Sequence, residues 1–348
     1  MEYNKKLSIS NSFNLMNKDD INNENKLKNI NVIKNGNDFK LFDLDKDNYK
    51  ITDIVSNSVI DVKSNEIFIN IKHILTSTLR TRLLICLFSG KKDLKSLRND
   101  LGKPSTSILH GIKELDKLNL IKKEKKNYCL SSNGTMLAMN VIKLIQNIYS
   151  INNNSHFWDS HSIKDIPYES LKKIHLIQNA KSIRSSDNDL AKTSKEYISL
   201  VSKSKDIKVL LPIFSSVHLD VLLKSLNNGA NLELIANKNI LEFIRNNGYG
   251  KKFSSFVEDI NTNNNKNNKN NKNNSLKIWE LSKEFKLFLS SGNNFLSLGL
   301  FSDDGYYDDS IILVDNTKEG INWGIEVFEY YKEYSEQIDI LKYFNIKN

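Results

Sequence analysis

Apolar positions settle into a clear rhythm only from Ile71 onward. Ile71, Ile74, Leu75, Leu79, Leu83, Leu84 and Leu87 recur at three- and four-residue steps, which predicts an amphipathic helix ending at Ser89-Gly90. DLKSLRNDLG reads as a short second helix stopped by Gly102. Lys103-Pro104 starts a third, with a buried stripe of Ile108, Ile112, Leu115 and Leu118. LIKKEKKNYCLS then predicts two short strands, Leu120–Lys122 and Asn127–Leu130, joined by a lysine-rich turn. Ser132 or Asn133 caps a fourth helix, about Gly134 to Tyr149, with an apolar face of Leu137, Val141, Leu144, Ile145 and Ile148. A helix so placed after a hairpin suits pairing with a second copy of itself.

Beyond the Asn-rich joint at 152–154 the pattern changes. KDIKVLLPIF has the continuous apolar run of a buried strand. SSVHLDVLLKSLNNG follows as a helix ended by Asn-Gly, and Asn231–Ala236 as a second strand, which makes a β-α-β unit of an α/β sheet. A helix at Ile240–Arg245, strands in KEFKLFLS and NNFLSLGLFSDDGYYDDSIILVDN, and an amphipathic helix in GINWGIEVFEYYKEYSEQI complete this half.

Two segments do not join the pattern. Residues 1–65 are rich in Asn, Lys and Asp and form an expected flexible extension, with a strand or two at most in KITDIVSNSVIDVK. Residues 261–274, NTNNNKNNKNNKNN, hold ten Asn and three Lys and read as a low-complexity surface insertion. The expected organisation is thus an extension (1–65), an α+β winged helix-turn-helix domain (66–151) and an α/β domain (155–338) that contains the insertion.

Charge sharpens the first of these domains. The chain carries a net charge of +9, and residues 71–130 hold 14 Lys and Arg against five Asp and Glu, so the whole excess lies in that stretch. A localised basic field is the footprint of a polyanion, most often nucleic acid, although a solvated basic face would give the same count. In the expected geometry the third helix enters the major groove of double-stranded DNA and the hairpin reaches phosphates. The candidate groove-facing residues are Ser105, Thr106, Ser107, His110 and Lys113, with one of the three hydroxyls expected to cap the helix instead. Gly111 would permit close approach of a backbone or phosphate. Lys122, Lys123, Lys125 and Lys126 form the hairpin-tip group, with Glu124 relieving their repulsion; Arg80, Arg82, Lys91, Lys92, Lys95 and Arg98 are further phosphate candidates or ordinary surface charges.

The rest is informative mainly by exclusion. Cys86 and Cys129 are too few for a disulfide scaffold or a thiolate metal site. No apolar run has the length of a membrane span and the N-terminus has no apolar targeting core, so a cytoplasmic location without membrane contact is expected. His156, His161, His175 and His218 form no HxxxH pair, and nucleophile-elbow, phosphate-loop and dinucleotide patterns are missing, so no catalytic residues, metal or cofactor are assigned. Asp303, Asp304, Asp308 and Asp309 suit a polar turn as well as a cation, and Trp158, Trp279 and Trp323 suit a core or interface.

HILTSTLRTRLLICLFSG, FWDSHSIKDIPYESLKKI, KDIKVLLPIF, NNFLSLGLFSDDGYYDDS and WGIEVFEYY together resemble an archaeal regulator family of methanogens. That family joins an ArsR-like winged helix to the C-terminal domain named after the methanogenesis and filament-formation regulator. The resemblance covers about residues 70–335 and implies a DNA-binding transcriptional regulator. Its second domain senses a signal, from an unidentified small-molecule or protein effector, or mediates homodimerisation. The second domain is also similar to phospholipase D-like regulatory domains, whose His-x-Lys pair this chain lacks. The competing readings are a protein-interaction scaffold without DNA readout and a phosphodiesterase-like enzyme.

Overall fold

Two separate hydrophobic cores organise the chain, one around a cluster of helices and a small sheet, the other on both sides of a large sheet. The computed structural model describes residues 69, 72–265 and 274–345. The extension at 1–65, with its expected strands, and most of the insertion at 261–274 lie outside the described residues.

The expected first helix is split. Residues 72–75 form one helical turn, the chain breaks at Thr76 and Ser77, and α1 runs Thr78–Phe88. The cause is local: the Ser77 side chain accepts from the Arg80 N–H, so it caps a new helix instead of continuing the old one. β1 (Lys92–Asp93) leads into α2 (Leu94–Leu101), where Asp93 caps the N-terminus and Gly102, at φ 61°, ends the helix. α3 spans Ser105–Lys117, β2 Ile121–Glu124 and β3 Asn127–Leu130. The strands pair antiparallel as β1-β3-β2, so the small sheet has three strands where the sequence predicted two. A two-residue strand carries too little periodicity to be read from a sequence.

Leu83, Leu84, Leu97, Ile108 and Leu115 close the first core. α3 lies so near α1 that a Cβ on Gly111 would stand 2.7 Å from Leu83 Cδ1, and Gly111 is buried. Its missing side chain therefore serves helix packing, which corrects the expectation of an approach to phosphate. Leu118 is half-buried at the end of the stripe.

α4 (Ser132–Asn153) is a 22-residue helix capped by Ser131, one residue before the expected cap, whose Oγ accepts from the Gly134 N–H at 3.0 Å. Gly134 packs directly on the Leu120 carbonyl, and a Cβ there would collide with that backbone oxygen. The apolar stripe of α4 does not all enter a core. Val141 is buried and Leu137 half-buried, but Leu144, Ile145 and Ile148 are exposed, with Met136, Met139, Tyr149 and Ile151. Toward its C-terminus the helix docks by its polar side instead: Asn147 accepts from the His175 N–H at 2.8 Å, and Ser150 is fully buried.

After α5 (Ser155–Asp159), α6 (Tyr168–Leu171) and a 3-10 turn at Ile174–Ile177, the second body is built on one mixed sheet. Its elements are β4 (Lys181–Arg184), α7 (Lys192–Ser202), β5 (Asp206–Leu210), α8 (Ser216–Asn227), β6 (Asn231–Asn237), α9 (Lys238–Asn246) and α10 (Tyr249–Asn265). They continue with β7 (Leu276–Leu281), β8 (Leu287–Gly292), β9 (Leu296–Leu300), β10 (Ile311–Asp315), α11 (Lys318–Glu333), β11 (Ser335–Gln337) and α12 (Ile340–Asn345). The strand order is β11-β7-β6-β5-β8-β9-β10-β4, with β5, β6 and β7 parallel and the other pairings antiparallel. The predicted β-α-β unit is therefore present as β5-α8-β6.

Alternation along the strands gives the sheet its two faces. Ile207, Val209, Leu232 and Leu234 face α7 to α10 and α12; Leu210, Ile235, Leu287 and Leu289 face α5, the 3-10 turn and α11. The chain is thus a mixed α and β protein. Among the described residues no helix is long and apolar enough to cross a membrane.

Gly134→Ala tests how tightly the small body is assembled. A backbone carbonyl cannot rotate away as a side chain can, so the substitution should destabilise by at least about 1–3 kcal/mol, the usual range for overpacking. A drop in the thermal midpoint of the full chain checks it; an unchanged midpoint would contradict the Leu120–Gly134 contact.

Candidate nucleic-acid interface

The buried stripe of α3 fixes which residues point outward. With Ile108, Gly111, Ile112 and Leu115 turned to α1, the residues Thr106, Leu109, His110 and Lys113 are exposed, and Ser105 and Ser107 are half-buried. All five predicted helix residues are therefore accessible to some degree, joined by Leu109, an apolar residue that lies outside the buried stripe. None of the three hydroxyls caps the helix. Pro104 holds the N-cap position, so Ser105 is already the first helical residue and no side chain closes the first turn. The leading N–H groups of α3 keep their donors uncapped, the arrangement that favours anions at a helix start.

The C-terminal half of α3 is electrostatically different. Glu114 accepts from Lys117 at 2.8 Å and lies 3.4 Å from His73 Nε2. Its carboxyl is held below the usual range, chiefly by the Lys117 hydrogen bond, with smaller help from His110 and His73. Asp116 beside it is exposed. The first half of the outward face thus carries hydroxyls, Leu109 and His110, and the second half carries Lys113 and Lys117 beside Glu114 and Asp116.

The four hairpin lysines are exposed but do not form one group. Strand alternation puts Lys123 on the face of Tyr128, with its Nζ 5.9 Å from that ring, and Lys122 on the opposite face beside Cys129. Lys125 and Lys126 make the turn, and Lys125 adopts a left-handed φ of 55°. Glu124 pairs first with Lys91 from the loop before β1 and accepts from Cys129 Sγ at 3.4 Å, and among the hairpin lysines it is Lys122 whose charge also acts on it. The Lys91 contact holds the Glu124 carboxyl below its ordinary value.

Several of the other basic candidates are also committed. Lys92 pairs with Asp100 at 2.9 Å, and Arg80 Nε donates to the His73 carbonyl at 2.6 Å, tying residues 72–75 onto α1. Arg82, Lys95 and Arg98 are exposed. The outward side of α3 and the hairpin turn are thus carried by elements of the same small core, with Arg82, Lys95 and Arg98 as further exposed cations.

The second body engages its polar residues in structure. His161 is buried between the Phe157 carbonyl (2.6 Å) and Asp308 (3.2 Å), while Asp308 also accepts from the Ser310 N–H. Asp303 and Asp304 are exposed in a turn closed by Gly305 at φ 84°. Among the described residues no group of three or more His, Cys, Asp or Glu is placed to hold a metal ion. Trp323 is fully buried and donates to the Ser170 carbonyl at 2.9 Å; Trp158 and Trp279 are half-buried against the same core. His218 stands at the start of α8, 4.5 Å from the Tyr197 ring and 4.7 Å from Phe288, with Nδ1 2.6 Å from Ser215 Oγ. Beside it is a chamber of about 20 Å³ lined by Thr193, Tyr197, Tyr307 and Asp309, room for about one water molecule. Burial lowers the His218 pKa to about 4.

Comparison with known proteins gives two family matches. Residues 68–149 match the N-terminal domain of methanogenesis regulatory protein FilR1, and residues 190–334 match its middle domain. Together they span well over half of the chain. A curated relative, methanogenesis regulatory protein FilR1 of Methanothrix harundinacea (strain 6Ac), is 25% identical over 270 residues, which is 77% of this chain and 58% of the relative. The chain therefore spans less than two thirds of that protein's length. Among solved structures, TrmBL2, an archaeal chromatin protein with a novel mode of DNA binding, overlaps 73% of this chain and 92% of its own at 13% identity and a TM-score of 0.33. Nuc, a phospholipase D family member from Salmonella typhimurium, overlaps 46% of this chain and 98% of its own at 8% identity and a TM-score of 0.34. At these TM-scores neither likeness bears on function.

His218 sets a pH dependence of stability. An unfolded imidazole takes up its proton near pH 6.5, whereas this one stays neutral until about pH 4. Between those values the unfolded chain binds up to one more proton, so stability is full above pH 6.5 and falls as the pH drops toward 4, by about 3 kcal/mol in all. Thermal unfolding scanned from pH 7 to pH 4 should show a steeper loss for the parent protein than for His218→Gln. Parallel curves would contradict the assignment.

Proposed function

Because the chain belongs to the family of methanogenesis regulatory protein FilR1, we propose that it is a DNA-binding transcriptional regulator acting in the cytoplasm. In this reading residues 66–151 form a winged helix-turn-helix domain. α3 enters the major groove through Ser105, Thr106, Ser107, His110 and Lys113, and the β2–β3 hairpin is the wing, with Lys122, Lys125 and Lys126 at phosphates. Residues 155–338 form the regulatory domain, which senses a signal or supports dimerisation. The carrying observation is that the whole positive excess of the chain falls in residues 71–130, where the uncapped start of α3 and the lysine turn share one small body.

Pairing of two copies gives such a reader its two-fold operator. The surface that suits it is α4. Leu144, Ile145, Ile148, Tyr149 and Ile151 are each more than 40% exposed, while the same stretch of helix turns Asn147 and Ser150 inward. A contiguous exposed apolar surface of this kind marks an interaction site. The same surface favours, as a second reading, a protein-interaction scaffold; failure to retain any genomic fragment at low salt, with a stable protein complex recovered instead, would decide for it.

Two measurements test the regulator. Binding of genomic fragments as a function of salt should show a log–log slope that falls by about one for each phosphate contact removed. Lys125→Ala and Lys126→Ala should each lower it, Lys123→Ala much less because of its position over Tyr128, and Glu124→Gln should raise it by releasing Lys91. The quadruple change of Lys122, Lys123, Lys125 and Lys126 to Ala should weaken binding to all sequences alike, and unchanged affinity would remove the wing from the interface.

Ile145→Lys combined with Ile148→Lys should raise the dimer dissociation constant at least about tenfold, roughly 1.4 kcal/mol, as read by analytical ultracentrifugation. A dimer unaffected by both charges would place its interface elsewhere.

A further inference from the structure

Leu109 is the anomaly of α3. It is 41% exposed and belongs to no core, although its neighbours Ile108 and Ile112 are buried. It stands one helical turn from Ser105 and Thr106 and one turn from Lys113, on a shoulder of the outward face. We propose that Leu109 reads thymine: its methyl groups pack on the C5-methyl of a T·A pair beneath the first half of α3. This rests on the reading of α3 as the major-groove helix and adds to it a base preference and the residue that sets it.

Three observations lead there. The exposed face of α3 is otherwise polar, carrying Thr106, His110 and Lys113, so Leu109 has no exposed apolar neighbour on its own helix. The largest apolar feature of the major groove is the thymine methyl; the purine N7 and O6 or N6 groups, thymine O4 and cytosine N4 all donate or accept hydrogen bonds. The start of α3 marks how far the helix enters. A helix of this kind reaches base edges with its N-terminal residues, and α3 begins uncapped at Ser105, so its first two turns, which include residue 109, lie deepest. A shoulder position also suits the contact, because the C5-methyl projects toward the backbone of its own strand and away from the centre of the groove.

The test separates this preference from DNA binding itself. The full chain first selects fragments from genomic DNA, and footprinting defines the half-site. Each thymine of the half-site is then replaced singly by deoxyuridine, which removes the methyl and leaves every hydrogen-bonding group. For the parent protein, at least one replacement should weaken binding about fourfold, the value of one buried methyl group. Leu109→Ala should bind the thymine and deoxyuridine duplexes equally at that position and keep the parent's salt slope. Salt-dependent binding with no methyl-sensitive position, or a Leu109→Ala protein that still discriminates, overturns the assignment and leaves the regulator reading standing. Failure to bind any fragment at low salt overturns both.

Discussion

The approach of α3 to α1 at Gly111 is the contact on which the geometry of the small body depends. With no side chain at that position the two helices meet over Leu83, and the meeting fixes the rotation of α3 about its axis. Once Ile108, Ile112 and Leu115 are turned inward, Thr106, His110 and Lys113 have no choice of direction. The hairpin follows from the same constraint: Leu120 and Ile121 leave α3 into that core, and Gly134 lets α4 close against the Leu120 carbonyl. A polar surface is thereby set by apolar packing beneath it, since dense cores admit few rotations of a helix.

Charge is distributed with some economy. Lys91, Lys92 and Lys117 are tied to Glu124, Asp100 and Glu114. In the second body Lys208 and Lys332 share Glu233 across the sheet and α11, and their ammonium groups also lie over Phe328 and Trp279. Burial opposes the charge on Lys208, but the two carboxylates outweigh it and raise its pKa. Cations that serve the fold are thus recognisable by their partners. Among the described residues, Lys113, Lys125 and Lys126 make no ion pair of this kind, and neither do Arg82, Lys95 and Arg98, so pairing sets Lys91, Lys92 and Lys117 apart from the other basic residues of the small body.

Periodicity made much of this legible. α2, α3, the β2–β3 hairpin and the β5-α8-β6 unit all follow from local apolar spacing and stop signals such as Gly102. What was hidden has physical causes. The break at Ser77 is a capping event inside an unbroken apolar rhythm, and β1 is too short to have a period. The hydroxyls of α3 resemble caps by residue type, but Pro104 takes the N-cap position and leaves Ser105 already helical. The four lysines are one run in the sequence, but strand alternation sends Lys122 and Lys123 to opposite faces. Leu109 differs again: an isolated leucine carries no pattern. The polar docking of α4 inverts the usual rule for a helix face, so apolar spacing alone does not give the side by which it docks.

α4 also has a mechanical meaning. Its 22 residues form a single helix that begins under the hairpin and ends against the 3-10 turn of the second body. At 1.5 Å per residue it is a rod of about 33 Å. A continuous helix resists bending, so a rotation imposed at one end arrives at the other without a flexible joint to absorb it. Because the exposed apolar stripe of Leu144, Ile145 and Ile148 lies on this same rod, a small tilt of the rod carries that stripe and the small body with it. The element that joins the halves of the chain is therefore also a lever between them.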